Sequence, residues 1–270
     1  MAVEVMAWNV LDAFSDPGRA RGVLEVVQAD RPDVAVFSEA WRESEDHLVD
    51  GLLGDLSDIG YTAVHGLYDD NDGRLDRHGI LGIVRNELVA DQKPQLISLG
   101  SRNAAHIPFI DEASGAEIDF FGAHLDDRSE KRRLAQASQL VARAGLSERA
   151  VIGGDFNAMY RNDRLAKVLR PLGSIAQRLP TVDPRPDFKP PKLQRFGSLA
   201  SRLTAMATGT TMQQFEAAGF EDADPERQPT KGPFALDHIV VRGLEVTEQR
   251  THPKSPLSDH RALSVHVAAR

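Results

Sequence analysis

Apolar positions along this chain come in short runs that close on polar or turn-forming residues. Residues 3–10 alternate well enough for a strand that ends at Trp8-Asn9. Residues 18–29 place Val23, Leu24, Val26 and Val27 on one helical face, and Arg31-Pro32-Asp33 then breaks the pattern. Residues 34–37 form a continuous apolar run of the buried-strand type, ending at Ser38-Glu39. Residues 45–59 predict a second helix through Leu48, Leu52, Leu53 and Leu56, and residues 61–65 a further strand. The Asp- and Gly-rich stretch 69–78 predicts a surface loop. Residues 79–84, 95–99, 106–110 and 117–122 predict successive strands of an antiparallel meander, with His124 just past the last.

The strongest helical pattern covers 129–146, where Ser129 can cap and Leu134, Ala137, Leu140 and Val141 form an apolar stripe. A buried strand then enters Val151-Ile-Gly-Gly-Asp-Phe-Asn157, with Phe156 turned to the core. If its end stays extended, Asp155 and Asn157 point the same way. Gly153 and Gly154 let the backbone pass close to a neighbour. A carboxylate beside an amide can hold water and donate to a phosphate oxygen, or the pair can simply cap the next helix. Helices follow around 162–169 and 211–219, and strands at 235–241, 245–250 and 262–267. With no repeat or linker, a single domain over 1–270 is expected.

Composition narrows the classes. The 270 residues are 41% hydrophobic and 27% charged, enough for a sizeable core in an ordinary soluble protein. No apolar run reaches membrane-spanning length, and the N-terminus enters a strand at once without a signal-peptide pattern, so a cytoplasmic monomer is expected. The absence of cysteine excludes disulfides, thiolate metal ligands and a cysteine nucleophile. A net charge of −8 argues against a large basic footprint on duplex nucleic acid, although an acidic site holding a divalent cation would account for part of it. Residues 179–202 are Pro-rich and carry Arg185, Lys189, Lys192, Arg195 and Arg202: a solvated loop, or a basic arm that meets an anionic substrate.

Polar residues recur where strands end: Asn9, Glu39, His124, Asp155, Asn157, Asp237 and Asp259-His260. Singly, each has a structural explanation as a turn residue, a buried ion pair or a hydrogen-bonded histidine. Together the segments Trp8-Asn9, Ser38-Glu39, Gly122-Ala-His-Leu125, Arg133-Leu-Ala-Gln136, Gly153-Gly-Asp-Phe-Asn157, Leu236-Asp-His-Ile239 and Ser258-Asp-His-Arg261 resemble the endonuclease/exonuclease/phosphatase superfamily. The likeness spans nearly the whole chain.

The resemblance implies a four-layer α/β sandwich of DNase I-like type, with two packed, mixed and largely antiparallel β-sheets flanked by helices. It implies a phosphoester hydrolase, most simply a nuclease acting on DNA or RNA, or else a phosphatase or phosphodiesterase for a small or lipid-derived phosphoester. A non-catalytic binding protein on the same fold is the remote alternative. Glu39 matches the principal ligand of a catalytic Mg²⁺, for which Mn²⁺ can substitute, and Asn9 and Asp259 match positions lining that metal. Asp155 matches the base that activates water, Asn157 a donor to the phosphate, and His260 a phosphate-contacting histidine partnered by Asp237. His124 matches a second histidine that contacts phosphate or protonates the leaving oxygen, while Arg133 and Gln136 match supporting positions. The two glycines are then expected to bring the strand end close to a metal-bound phosphate. Ser38 replaces the usual Gln before the metal-binding Glu, and His124-Leu-Asp126 departs from the Tyr of abasic-site nucleases. Asp126 and Asp127 have no role carried by the resemblance.

Overall fold

Hydrophobic runs with period 2 and with no polar face need apolar neighbours on both sides, and the chain supplies them by stacking two sheets between helices. The computed structural model describes residues 2–68, 77–100, 102–160, 163, 166, 167, 169, 203 and 205–270. Their elements are β1 (Val3–Asn9), α1 (Pro17–Asp30), β2 (Val34–Ser38), α2 (Val49–Asp58), β3 (Tyr61–Leu67), β4 (Gly79–Arg85), β5 (Gln95–Ser98) and β6 (Asn103–Asp111). They continue with β7 (Ala116–Ala123), α3 (Glu130–Ala144), β8 (Ala150–Asp155), α4 (Thr210–Ala217), β9 (Glu221–Asp222), β10 (Asp237–Arg242), β11 (Leu244–Thr251) and β12 (Leu263–Ala269). The expected basic segment 179–202 and most of the expected loop 69–78 lie outside the described residues; of the expected helix at 162–169, Ala166, Lys167 and Leu169 are helical.

One sheet has the order β11-β12-β1-β2-β4-β3 and the other β5-β6-β7-β8-β10-β9. Each contains one parallel pair, β1 with β2 and β7 with β8, among antiparallel neighbours. Alternation then sorts the side chains into layers. Val5 and Val36 meet Phe120 and Val151 between the sheets. Met6 and Phe37 face outward onto Val23 and Val27 of α1 and Leu52 and Leu56 of α2. On the other flank, Phe121 and Ile152 pack on Leu140 of α3 and on Met212 and Phe215 of α4. Each such side chain contributes roughly 1.5–3 kcal/mol of burial. This is the four-layer sandwich anticipated from the motifs. Among the described residues, no helix is long and apolar enough to cross a membrane.

The local signals explain the helix starts. Asp16 accepts from the Arg19 N–H and Pro17 occupies the first turn of α1, while Ser129 accepts from the Arg132 N–H at the start of α3. Two details differ from the sequence pattern. The stretch expected as one helix over 45–59 begins as a 3₁₀ segment, Glu43–Leu48, before α2. The expected four-strand meander is three strands long: β5, β6 and β7 are consecutive neighbours, but β4 pairs with β2 and β3 in the other sheet. Apolar alternation reports burial, not which sheet supplies it.

The parallel pairs decide where function can lie. The C-terminal ends of β1, β2, β7 and β8 come to one edge, and β10 and β12, antiparallel to β8 and β1, begin there. Gly154 makes that convergence possible. It has φ 139°, and a Cβ there would stand 1.9 Å from the Ala123 carbonyl oxygen at the end of β7. The neighbour that requires glycine is therefore the adjacent strand's backbone. Gly154→Ala is expected to destabilise the protein by more than about 3 kcal/mol, since backbone strain alone costs about 1–3 kcal/mol. Gly51→Ala, in α2 with nothing within 4 Å of the added methyl, should instead stabilise by up to about 1 kcal/mol in the same urea unfolding measurement.

Candidate active site

At this shared edge the chain must bury several carboxylates together, so each needs a partner. Asn9 ends β1, and its amide nitrogen bridges two of them, donating to Glu39 Oε1 at 3.1 Å and Asp155 Oδ2 at 3.0 Å. Its oxygen accepts from the Leu11 N–H at 3.0 Å, which fixes the amide's orientation. Glu39 follows β2 in a left-handed conformation, φ 47°, and this turns its side chain out of the strand and into the site. The Asp155 Oδ1 accepts from the Asn157 backbone N–H at 2.9 Å.

Asp237 opens β10 directly opposite Asp155 in the antiparallel ladder. Its Oδ2 takes His260 Nδ1 at 2.6 Å, and the Ser258 hydroxyl holds the loop by donating to the Asn9 carbonyl at 2.6 Å and accepting from the His260 N–H at 3.1 Å. Among the described residues His260 Nε2 is buried without a hydrogen-bond partner, 3.8 Å from Asp155 Oδ2 and 3.8 Å from Asp259 Oδ1. Burial alone would lower the His260 pKa, but the charge and hydrogen bond of Asp237, together with Asp155, raise it to about 9. Burial is the largest cause raising the Asp155 carboxyl to about 6, with Asp237 and Glu39 adding repulsion against His260 and Asn9. Asp237 goes the opposite way: burial opposes ionisation, yet His260 holds it below the usual range. The site therefore keeps a carboxylate that ionises near neutrality beside a protonated imidazole.

His124 follows β7. Its Nε2 is 2.9 Å from the Asn157 amide nitrogen, 3.7 Å from Asp155 Oδ2 and 3.8 Å from Glu39 Oε1, and its Nδ1 is 3.1 Å from the Tyr68 hydroxyl. Asn157 has φ 48°, so the chain leaves the extended form after β8, yet its side chain and that of Asp155 both reach His124 Nε2. The Asn157 amide nitrogen points to His124 and to the Leu125 carbonyl at 3.1 Å. Gln136 and Arg133 of α3 hold the next turn: Gln136 Oε1 accepts from the Asp126 N–H at 2.8 Å, and Arg133 donates to the Asp126 carbonyl. Asp126 accepts from the N–H groups of Arg128 and Ser129, and Asp127 accepts from Arg102 at 3.0 Å, which gives both acids structural partners.

Asn9, Glu39, His124, Asp155, Asn157, Asp237 and His260 thus meet at one place. Asp259 stands at the rim, 43% exposed in its side chain, with Oδ2 on Lys231 Nζ at 3.0 Å. Ligand atoms of Glu39, His124 and Asp155 lie within 4.8 Å of one another, as do those of Asp155, Asp237 and His260. A hard divalent cation fits this oxygen-rich set, because Glu39 and Asp155 already direct oxygens at one shared amide donor. Sequence reasoning missed four neighbours. Asp12 binds His78 at 2.6 Å and Arg42 at 2.9 Å beside Glu39, and the Tyr68 hydroxyl oxygen accepts from the Glu39 N–H at 3.3 Å. Tyr68 follows a strand two residues longer than its alternation indicates, and only the strand-end rule could have exposed it.

A family profile described as endonuclease/exonuclease/phosphatase matches residues 6–260. No curated protein sequence matches. Among solved structures, an endonuclease/exonuclease/phosphatase from Bacteroides vulgatus superposes with a TM-score of 0.66 at 14% identity, covering all of both chains. A mannosyl-6-phosphatase from Bacteroides thetaiotaomicron gives 0.62 at 14%, covering 99% of this chain and 100% of the other. A D. rerio TDP2 complexed with single-stranded DNA product gives 0.62 at 13%, covering 99% of each chain. At these identities the structures establish a common fold.

The titration of His260 makes a prediction. Its folded pKa of about 9 exceeds the ordinary 6.5, so its contribution to stability is complete below pH 6.5 and disappears as pH rises through 9. Asp155, raised from 3.8 to about 6, loses its contribution in a separate, lower window. Metal-free protein should therefore lose on the order of 3 kcal/mol between pH 6.5 and 9 in denaturant unfolding, and His260→Gln should lack that slope.

Proposed function

The chain belongs to the endonuclease/exonuclease/phosphatase family, whose members are phosphoester hydrolases, and we propose that it hydrolyses a phosphodiester of nucleic acid with Mg²⁺ bound. The observation that carries this reading is the opposed pair of Asp155 and protonated His260, 3.8 Å apart and fixed by Asn9 and Asp237. Glu39 and Asp155, with Asp259 at the edge, would hold the cation, which supplies positive charge to the phosphoryl oxygens, while Asn9, whose amide nitrogen faces both carboxylates, would keep their oxygens in place. Mn²⁺ is the natural substitute.

Asp155 takes the proton of the attacking water, its carboxylate fixed for that task by the Asn9 amide on Oδ2 and the Asn157 N–H on Oδ1. The water oxygen forms its bond to phosphorus opposite the ester oxygen that departs. His260 donates through Nε2–H, the one ring position that Asp237 leaves unpartnered, to a phosphoryl oxygen that gains charge during the attack. No covalent enzyme intermediate forms. Single-stranded nucleic acid is favoured by the likeness to the TDP2 structure solved with its DNA product. A small phosphoester is the second reading, favoured by the net charge of −8 and by the likeness to a sugar phosphatase.

Cleavage of bis(4-nitrophenyl) phosphate with Mg²⁺ or Mn²⁺ tests the chemistry. Asp155→Ala and His260→Ala should each lower kcat by at least about 10², the usual scale for loss of a proton-transfer group or of a donor to a charging oxygen, and chelation should abolish turnover. Retained activity in both variants would sink the assignment. A panel of single-stranded DNA, duplex DNA, RNA and sugar phosphates then separates the two substrate readings by relative kcat/KM.

A further inference from the structure

Beneath the reacting groups lies a chain of hydrogen bonds that runs from Tyr68 through His124 to Asn157. The hydrogen positions follow from the acceptors at its far end. Asn157 Nδ2 is 3.1 Å from the Leu125 carbonyl oxygen and 2.9 Å from His124 Nε2. Reversing the amide would set its oxygen against that carbonyl, so the nitrogen carries the donors here. One hydrogen goes to Leu125, the other goes to Nε2, and Nε2 must accept. The His124 proton then sits on Nδ1 and is donated to the Tyr68 oxygen at 3.1 Å, the oxygen that also accepts from the Glu39 N–H at 3.3 Å.

Tyr68 is held to this duty. It is 1% exposed, its ring meets the His124 ring edge-on with centroids 5.5 Å apart, and the Arg102 guanidinium lies 5.1 Å from its centroid. Arg102, itself 1% exposed, also donates to the His124 carbonyl at 3.4 Å and to Asp127 at 3.0 Å. A phenol offers His124 no negative charge, and burial drives the Tyr68 hydroxyl further from ionisation. This contrasts with His260, whose partner is the Asp237 carboxylate.

We infer that Tyr68, His124 and Asn157 are positioning residues, a hydrogen-bonded strut that sets Asp155 and Glu39, and that neither His124 nor Asn157 gives a proton to the substrate. The inference rests on the phosphoesterase reading above and revises the roles that the motifs imply for these two residues. Both Asn157 amide hydrogens are committed within the protein, so what the amide has left is its oxygen, an acceptor. His124 presents a lone pair, already used, where an acid would present N–H. The ester bond accordingly breaks with its electron pair on the leaving oxygen, which is protonated by water, while the proton of the attacking water goes to Asp155.

Two measurements test this. Nitrogen NMR of metal-free protein with labelled histidine should find His124 protonated at Nδ1 and bare at Nε2 at neutral pH; a proton on Nε2 overturns the inference whether or not the protein is an esterase. In the second, kcat is measured for 4-nitrophenyl, 3-nitrophenyl and phenyl phosphodiesters. Wild type should show a steep dependence on leaving-group pKa. His124→Ala should lower all three rates by a common factor, and Tyr68→Phe should lower kcat about tenfold with KM unchanged, the scale of one lost buried hydrogen bond. A loss in His124→Ala that grows from nitrophenyl to phenyl is the mark of a general acid and overturns the inference. Failure of wild type on every diester would instead defeat the phosphoesterase reading, with the NMR result still deciding the strut.

Discussion

Everything at the working edge of this protein depends on keeping buried carboxylates close without letting them repel one another apart. Asp155 and Asp237 lie on paired strands of one sheet and Glu39 just past β2 of the other, and burial favours the neutral forms of Asp155 and Asp237. Two devices hold them. The Asn9 amide stands between Glu39 and Asp155, and the His260 imidazolium stands between Asp155 and Asp237. Asp237 receives the close hydrogen bond and stays ionised, so Asp155 bears the unrelieved charge and rises toward neutrality. That asymmetry sets the ionisation of the two carboxyls apart.

The fold exists to impose this proximity. One parallel pair in each sheet sends β1, β2, β7 and β8 toward the same edge, and β10 and β12 return from it. The side chains between the sheets fix their separation, and Gly154 lets β8 end against Ala123 where any side chain would collide. The site is therefore a product of the packed interior. Its groups are buried because strand ends are buried, and their shifted ionisation follows from that burial.

Much of this was legible in the sequence. The runs at 34–37 and 151–154 have no polar face, and the structure buries them on both sides. The strand-end polar residues Asn9, Glu39, His124, Asp155, Asn157, Asp237 and His260 do converge. What escaped was set by long-range geometry. Sheet membership of β4 depends on pairing partners that alternation does not encode. Asn157 takes a left-handed backbone after Asp155, which no local pattern of an Asp-Phe-Asn triplet specifies. Asp259 turns to Lys231, a residue 28 positions earlier in the chain. Tyr68 fell between the expected strand 61–65 and the expected loop 69–78, and it sits 3.1 Å from His124 Nδ1.

The central claim is that Glu39 and Asp155 form a divalent-cation site that relieves their repulsion. Calorimetric titration of Mg²⁺ and Mn²⁺ into metal-free wild type and Glu39→Gln tests it without reference to any substrate. The account predicts saturable binding to wild type and a loss of at least about tenfold in the variant, since even residues behind a ligand cost that much. Undiminished binding to Glu39→Gln, or none to wild type, would contradict it.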